Sequence, residues 1–229
     1  MDALVEYAQE ALSSRADAAK AAQMAAYMKT DMPFYGVQTP ARRQIAREMK
    51  RRFVPRSAGE YCTMVETLWA LPHREEKYLA IGLAGAHPGF VTFEQIGLYR
   101  RLIVEGAWWD FVDTVASGLV GRVLRNEREV TRPVLDEWID GEDMWLRRTA
   151  IISQLEHKDA TDAEMLFDYC SRRAFEKEFF IRKAIGWALR QYARTDPTAV
   201  TAFLLEHRDE LSGLSFREAS KHLDLSSMQ

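Results

Sequence analysis

The sequence is poor in cysteine and in the residues that interrupt helices. Its 229 residues include 12 glycines, 7 prolines and 2 cysteines. Glycine and proline are the least favourable residues inside a helix, so their scarcity, together with many Ala, Leu, Glu, Arg and Met residues, favours an α-helical protein. Cys62 and Cys170 lie far apart and form no CxxC pair. We therefore expect both thiols to be reduced, as is typical of a cytoplasmic protein.

Long apolar runs and a targeting signal are also missing. No apolar stretch reaches the roughly 20 residues that a transmembrane helix needs. Residues 1–6 do not combine a basic region with an apolar run, as a signal peptide does. These features predict a cytoplasmic protein with no membrane partner, and we expect it to be a monomer.

Patterns that bind metal ions or phosphate loops are missing as well. The five histidines are dispersed, and no two of them stand four residues apart as a helical metal-binding pair would. The glycines are scattered and do not form a phosphate-binding loop between a strand and a helix. The sequence therefore predicts neither a metal ion nor another cofactor.

What the sequence does contain is a helical spacing of apolar residues along almost its whole length. Breaks recur every dozen or so residues; Thr39-Pro40 and Asp196-Pro197 are the clearest helix starts, and a further break is expected at Arg132-Pro133. We expect about fourteen short helices, no sheet, and a single domain over residues 1–229. Paired helices that repeat at roughly forty residues are typical of HEAT-like units stacked into a curved α-solenoid. A globular helical bundle is the alternative.

The charged residues are unevenly distributed, although the net charge is only −3. Residues 41–56 hold seven Lys or Arg residues against one acid, and residues 172–194 hold seven against two. Acids gather elsewhere, as in residues 136–143. Clustered cations on an otherwise acidic protein are typical of a nucleic-acid-binding face. A solvated helix face is the alternative, and the two clusters together leave both interpretations open.

The segment Trp108–Asp113 combines aromatic and acidic residues in a pattern typical of a helix. Residues four apart share a helix face, so Trp109 and Asp113 are expected to stand side by side. An indole ring next to a carboxylate suits a flat, cationic substrate, because the ring face attracts positive charge. A core tryptophan beside a solvated aspartate is the alternative.

Two further polar or aromatic residues lie inside apolar helical segments, namely Arg148 and Trp187. Gly186 precedes the tryptophan and costs helix stability relative to alanine. Its small size suggests that a backbone or a ligand approaches the helix there. The alternatives are that Trp187 belongs to the core and that Arg148 pairs with an acid.

Five segments resemble the bacterial DNA alkylation repair family, and most closely its AlkD-like alkylpurine DNA glycosylases. They are Tyr27–Lys29, Gly36–Arg43, Trp108–Asp113, Trp145–Arg148 and Glu178–Arg190. The segments occur in the family's order and spacing, and the resemblance extends from about Tyr27 to Lys221. It implies an all-α fold in which stacked HEAT-like repeats cradle duplex DNA on a concave surface.

The resemblance also implies an activity, the hydrolysis of the N-glycosidic bond of cationic N3- and N7-alkylated purines in double-stranded DNA during base excision repair. Asp113, Trp109, Trp187 and Arg148 match the family's active-site positions. Asp113 would stabilise the cation that forms on the deoxyribose and orient the attacking water. The two tryptophans would pack against the sugar and backbone, and Arg148 would hold a flanking phosphate. No catalytic lysine is evident, so we expect hydrolysis without strand cleavage.

Further DNA contacts are expected at six residues of these motifs and of the basic clusters: Tyr27, Gln38, Thr39, Arg43, Arg190 and Arg194. Two other functions stay open at this point. One is a non-catalytic HEAT-like module that binds DNA or a protein. The other is a protein-interaction scaffold unrelated to DNA, which would leave the two basic clusters without an explanation.

Overall fold

The computed structural model describes residues 1–223 and is helical throughout that range. No β-strand occurs in residues 1–223, so the all-α prediction is confirmed. The chain divides into two compact units, of which the first comprises Met1–Val91 and the second begins at Thr92. The single domain expected over residues 1–229 stays a prediction, and its last six residues, 224–229, lie outside the described residues.

The helices are short and follow one another closely, as expected. Those of the first unit are α1 (Asp2–Ser13), α2 (Ala18–Met28), α3 (Thr39–Arg52), α4 (Ala58–Trp69) and α5 (Arg74–Ala86). Those of the second unit are α6 (Ile96–Gly106), α7 (Trp109–Val115), α8 (Gly121–Asn126), α9 (Arg128–Asp140), α10 (Met144–Ile152), α11 (Ala163–Arg172), α12 (Phe179–Tyr192), α13 (Pro197–Glu206) and α14 (Gly213–Ala219). A π-helical turn, Ala116–Val120, joins α7 to α8. Within residues 1–223, no helix is both long and apolar enough to cross a membrane.

Neighbouring helices pack against each other within each unit, as stacked helical repeats require. In the first unit α5 packs against α3 and α4. In the second unit α10 packs against α9 and α12, and α12 also packs against α14. The α10–α12 contact brings Arg148 and Trp187 onto adjacent helices.

A buried carboxylate fixes the loop that leads into α3. Glu75 is fully buried and accepts backbone N–H bonds from Tyr35 at 3.1 Å and from Gly36 and Val37 at 2.9 Å each. Gly36 has a φ of +86°, a conformation that favours glycine. Three N–H donors satisfy the carboxylate that burial would otherwise destabilise. These bonds therefore hold the loop that precedes α3 in one conformation.

The predicted helix starts are partly correct. Asp196 precedes α13 and accepts the backbone N–H of Ala199 at 2.9 Å, which confirms the start at Asp196-Pro197. The α3 helix begins at Thr39 itself, with Gln38 in the capping position and no side-chain cap. The break predicted at Arg132-Pro133 is wrong, because the proline lies inside α9.

The α9 helix continues through Pro133 because its first turns are secured by other contacts. It begins at Arg128, five residues before the proline. The Thr131 hydroxyl donates to the carbonyl of Glu127 at 2.7 Å. Leu135 and residues 138–139 of the same helix are buried and hold it against its neighbours. This packing outweighs the one N–H bond that proline removes.

The close approach of α14 to α12 depends on Gly186. A Cβ atom at this position would lie 2.5 Å from the Cβ of Glu218 and 2.9 Å from the carbonyl oxygen of Ser215. The Ser215 hydroxyl also donates to the Arg182 carbonyl at 3.0 Å. The expectation that a backbone approaches Gly186 is therefore confirmed, and the backbone is that of α14.

We predict that Gly186→Ala destabilises the protein by about 1–3 kcal/mol, because α14 must shift to admit the added methyl group. Gly97→Ala is the matched control, since nothing lies within 4 Å of a Cβ at that helical glycine. This control should leave the stability unchanged or raise it by up to about 1 kcal/mol. Thermal and urea unfolding measure both variants. Equal stability of the two variants would contradict the importance of the close α12–α14 contact at Gly186.

Candidate active site

A cavity of about 320 Å³ in the second unit gathers the residues that the sequence singles out. It is lined by Trp109, Asp113, Arg148, Phe179, Phe180, Lys183, Trp187 and Arg190. The short helix α7 supplies the first tryptophan and the aspartate, α10 supplies Arg148, and α12 supplies the remaining five residues. The four residues predicted as catalytic thus share one cavity, together with one of the predicted DNA contacts.

An ion pair between Asp113 and Arg148 forms the polar centre of this cavity. The Arg148 Nε donates to Asp113 Oδ1 and its Nη2 to Oδ2, both at 2.7 Å. The Nη1 of the same guanidinium donates to the Phe180 carbonyl at 2.5 Å. Arg148 is only 4% exposed, whereas the Asp113 side chain retains 15% exposure. The carboxylate is therefore held rigidly with one face toward the cavity.

Arg148 contacts other parts of the protein through all three of its side-chain nitrogens. They donate to Asp113 or to Phe180, and the residue is buried. A guanidinium in this arrangement positions the carboxylate. These bonds use three of its five N–H donors, and the expectation that Arg148 holds a flanking phosphate stays a prediction. The alternative that Arg148 pairs with an acid is the one observed, and that acid is the predicted catalytic residue.

The groups around Asp113 shift its pKa in opposite directions. Burial raises the pKa of its carboxyl, and the negative charge of Asp110 raises it further. The hydrogen bonds and positive charge of Arg148 lower that pKa. Burial is the largest of these effects, so the pKa lies above its ordinary value of 3.8.

Aromatic rings form the remaining walls of the cavity. Trp109 and Trp187 are half-buried, so the alternative of a tryptophan enclosed in the core does not hold for Trp187. Phe179 is 52% exposed, although the sequence places it on an apolar helical stripe. Phe180 packs behind the ion pair, with the Arg148 guanidinium carbon 5.9 Å from its ring centroid. The cavity therefore offers flat, electron-rich surfaces beside one carboxylate.

The rings of Trp108, Trp145 and Phe180 pack against one another and connect the three helices of the site. Trp108 caps the start of α7, and its ring centroid lies 5.5 Å from that of Phe180 in an edge-to-face arrangement. Trp145 lies 4.9 Å from the Phe180 ring and 6.2 Å from the Trp108 ring, measured between centroids. Such aromatic pairs add stability beyond the area that they bury. This aromatic cluster fixes where α7 and α10 meet α12.

Two cations at the cavity share one carboxylate that lies outside the cavity lining. The Lys183 Nζ lies 3.2 Å from Glu218 Oε1, and Arg190 forms a short ion pair with Glu218 Oε2. Lys221 binds the same carboxylate at 2.9 Å. These hydrogen bonds lower the pKa of Glu218 to about 2, so it is ionised throughout the neutral range. Arg190, a predicted DNA contact, thus already forms an ion pair with a carboxylate of α14.

Three cavity residues, Phe179, Phe180 and Lys183, were missed at the sequence level. The helical spacing of α12 contains the signal that could have found them. Residues 180, 183, 187 and 190 are three, four or seven positions apart and so share one face of the helix. Once Trp187 is placed in the site, its neighbours on that face follow. In particular, Lys183 lines the cavity, and the expectation that no catalytic lysine acts there stays a prediction.

The other predicted DNA contacts lie in both units. Gln38, Thr39 and Arg43 occupy the start of α3 and are exposed, and Tyr27 in the last turn of α2 is 72% exposed. Arg194 of the second unit lies just beyond α12 and is exposed. These side chains are accessible, and their role in binding DNA stays a prediction.

The two basic clusters differ in how far they are neutralised. In the first, α3 exposes Arg43, Arg47 and Lys50 along one side. In the second, Arg172 and Arg173 both form short ion pairs with Asp140, which belongs to the acidic segment 136–143. A count along the sequence could not show that this acidic segment lies against the second cluster. The strongest exposed basic surface is therefore the one on α3.

The side chains of the cavity indicate what the site can do chemically. Within residues 1–223, no group of three or more His, Cys, Asp or Glu residues is arranged to hold a metal ion. The cavity combines one oriented carboxylate, four aromatic rings and two cations that are paired with Glu218. This arrangement can stabilise a positive charge that develops near Asp113 and can orient a water molecule there.

Comparisons with known proteins place the chain in a family. A solved structure from Enterococcus faecalis, described as a predicted DNA alkylation repair enzyme, superposes with a TM-score of 0.82 at 30% identity, covering 91% of this chain and 96% of that one. The Streptococcus mutans UA159 protein smu.31 shares the fold, with a TM-score of 0.62 at 16% identity and coverage of 81% and 92%. No curated protein matches the chain.

The family comparison agrees with the geometry of the cavity. The model of the DNA alkylation repair enzyme family matches residues 8–223, which include every residue of the cavity and all the predicted DNA contacts. This match spans nearly the whole described chain. The chain therefore belongs to the DNA alkylation repair enzyme family and has a role in repairing alkylated DNA.

Proposed function

We propose that the protein is a monofunctional DNA glycosylase that hydrolyses the N-glycosidic bond of cationic N3- and N7-alkylated purines in duplex DNA. The observation that carries the proposal is the Asp113 carboxylate, which Arg148 holds through two 2.7 Å hydrogen bonds beside Trp109 and Trp187. A fixed anion between two indole rings is complementary to a cation. Both the alkylated base and the deoxyribose in the transition state carry positive charge.

The proposed reaction needs no acid to protonate the base. When the bond between C1′ and N9 of the alkylated purine breaks, its electron pair neutralises the cationic ring, and the base leaves as a neutral molecule. Positive charge then develops on C1′ and the ring oxygen of the sugar, as in glycoside hydrolysis. Asp113 stabilises that charge and orients a water molecule, which adds to C1′ and releases a proton. The products are a free base and an abasic site.

Arg148 makes the carboxylate effective without entering the reaction. A carboxylate that is already oriented loses nothing to reorganisation when charge develops nearby. The two donors of Arg148 and its third bond to the Phe180 carbonyl provide that fixed orientation. The tryptophans contribute cation–π attraction that increases as charge moves onto the sugar. Each interaction is stronger in the transition state than in the ground state, which is the condition for catalysis.

Lys183 is the group that could convert this reaction into strand cleavage. A lysine attacks C1′ only as a neutral amine, whose lone pair forms the imine. Here the Lys183 Nζ is paired with the Glu218 carboxylate of α14 at 3.2 Å and is therefore already engaged by a group outside the cavity lining. We therefore propose that water and not Lys183 is the nucleophile, and that the abasic strand is released intact.

Duplex DNA would be held largely through its phosphates. The start of α3 has no side-chain cap, so its free N–H groups and positive dipole end suit a phosphate oxygen. The Thr39 hydroxyl and the exposed Arg43 adjoin that end. We propose that these groups bind the backbone, while the cavity of the second unit binds the damaged nucleotide. We propose further that the protein acts as a cytoplasmic monomer.

We predict that the wild-type protein releases N7-methylguanine and N3-methyladenine from duplex DNA but leaves neutral hypoxanthine and uracil in place. The neutral bases are poorer leaving groups, and the proposed mechanism uses Asp113 as an anion and supplies no proton donor to the base. Chromatography of the free bases measures release, and gel electrophoresis with and without alkali detects strand cleavage. Release of the cationic bases no faster than the spontaneous rate would favour a non-catalytic DNA- or protein-binding module instead. Efficient release of hypoxanthine would require a proton donor that this mechanism lacks.

We predict that Asp113→Asn lowers the single-turnover rate of N7-methylguanine release by about 100- to 1,000-fold and weakens DNA binding far less. The amide keeps the size of the side chain but removes the charge that faces the developing cation. Asp110→Asn is the matched control, because it removes the same charge from the same helix outside the cavity. It should excise at close to the wild-type rate at neutral pH. Equal losses in binding and rate for the Asp113 variant would contradict the catalytic role.

We predict that the excision rate falls as the pH is lowered through the pKa of Asp113, which lies above the ordinary value of 3.8. Protonation removes the anion, so activity is present above this pKa and lost below it. Asp110→Asn should move the midpoint to lower pH, because the negative charge of Asp110 raises the pKa of Asp113. Initial rates, corrected for spontaneous depurination at each pH, provide the profile. A rate that rises toward acid pH would mean that Asp113 acts as a proton donor.

A further inference from the structure

An open groove between α11 and α13 lies outside the proposed reaction. Its volume is about 760 Å³, and each of the two helices lines it with residues three, four and seven positions apart. These are residues 164, 167, 168 and 171 on α11 and residues 199, 202, 203 and 206 on α13. Residues at such spacings share one helix face, and seven residues extend about 10 Å along a helix. The α11–α13 groove is therefore bordered by two turns of each helix.

Aromatic rings form the floor of the α11–α13 groove. The rings of Phe167 and Phe203 are stacked, with their centroids 4.7 Å apart and an angle of 12° between their planes. The His207 ring centroid lies 4.4 Å from that of Phe203, and the His207 Nδ1 lies 2.8 Å from the Glu210 carboxylate. Both α11 and α13 also pack against α12. The stacked rings therefore connect the two helices and give the groove an apolar base.

The α13 helix is apolar on its outer side as well as on its inner side. Residues 199–205 are all apolar apart from one threonine. Val200, Phe203 and Leu204 are buried, whereas Ala202 is exposed and Leu205 is 40% exposed. A surface helix ordinarily has a polar outer side, and a helix that is apolar all round is typical of one that is covered on every side. The outer side of α13 therefore suits contact with another apolar surface.

The rim of the α11–α13 groove is acidic. Glu164 and Asp168 line it from α11 and Glu206 lines it from α13, against one lining cation, Arg132. Asp168 is paired with Arg172 at 3.0 Å. Glu164 and Glu206 are exposed, and within residues 1–223 neither forms an ion pair. Negative charge on both helices repels nucleic acid and attracts a cationic partner.

We propose that the α11–α13 groove docks a basic amphipathic helix of a partner protein. Apolar side chains of that helix, spaced three and four residues apart, would pack on the Phe167–Phe203 stack and on Ala202. Lysine or arginine side chains beside them would pair with Glu164 and Glu206, whose charges are complementary. The groove thus matches an amphipathic helix in its apolar base, its length and the charge of its rim.

A second copy of this chain does not present such a helix. Its most basic helix, α3, buries its apolar residues Ile45 and Met49 within the first unit. Docking α3 in the groove would therefore offer positive charge without an apolar face. The partner that fits the groove is a different protein.

The proposed docking site is separate from the candidate active site. The groove is lined by residues of α9, α11 and α13 and by His207, whereas the catalytic cavity is lined by residues of α7, α10 and α12. No residue lines both. The partner helix and a damaged nucleotide would therefore bind without competing for side chains. This inference does not depend on the proposed glycosylase activity.

A library of phage-displayed helical peptides of about 16 residues, roughly four helical turns, provides the probe. Peptides are selected on the full-length protein and counter-selected on Ala202→Arg, which places a large cation in the groove at an exposed position. We expect the selected peptides to share apolar residues three and four positions apart, flanked by lysine or arginine. Circular dichroism checks that the variant is folded. Recovery of no peptide that discriminates against Ala202→Arg, or recovery of acidic peptides, would overturn the inference.

The double variant Glu164→Gln/Glu206→Gln tests the charge of the rim with the selected peptide. Fluorescence anisotropy should show binding that is weaker by about 3- to 30-fold near 0.1 M salt, as expected for the loss of two exposed ion pairs. Glu129→Gln/Glu137→Gln is the matched control, because it removes two exposed carboxylates of α9 that line neither site. This control should bind the peptide as the wild type does. Equal affinities of the two double variants would overturn the inference, whereas base release by the wild type tests the proposed function separately.

Discussion

The ion pair between Asp113 and Arg148 joins three helices at the point where the chemistry is proposed to occur. Asp113 belongs to α7, Arg148 to α10, and the Phe180 carbonyl that accepts the third bond to α12. A buried ion pair of this kind is sensitive to the loss of either member, because the charge left behind has no partner. Removing the guanidinium would therefore disturb the helix packing as well as the carboxylate. The same bonds that orient the anion also hold the walls of its cavity together.

The distribution of counter-charges separates the cations of the second unit into two groups. Lys183 and Arg190 line the candidate active-site cavity and form ion pairs with Glu218. Arg172 and Arg173 form ion pairs with Asp140. Only accessible cations without such partners can exchange small counterions for DNA phosphates, and these contribute the salt-dependent part of binding. The paired cations instead shape the cavity and hold helices together.

Sequence reasoning predicted the helices, because they depend on local spacing, whereas the resemblance to the DNA alkylation repair family singled out the four central residues. Trp109 and Asp113 stand four residues apart on one helix, which is enough to place them side by side. It could not predict that Arg148 binds Asp113, since 35 residues separate them along the chain. The pairing of Asp140 with the second basic cluster and the continuation of α9 through Pro133 likewise depend on tertiary packing, which local patterns do not contain.

The contact made possible by Gly186 has a consequence for the selectivity of the cavity. Because no side chain separates α12 from α14, Glu218 comes close enough to bind both Lys183 and Arg190. Glu218 adds a second carboxylate beside the three cations and one anion of the cavity lining and so makes the potential there less positive. The absence of a side chain at residue 186 therefore contributes to the electrostatic potential of a cavity that neither Gly186 nor Glu218 lines. Substitution at residue 186 or 218 would change that potential while Asp113, Trp109 and Trp187 stay in place.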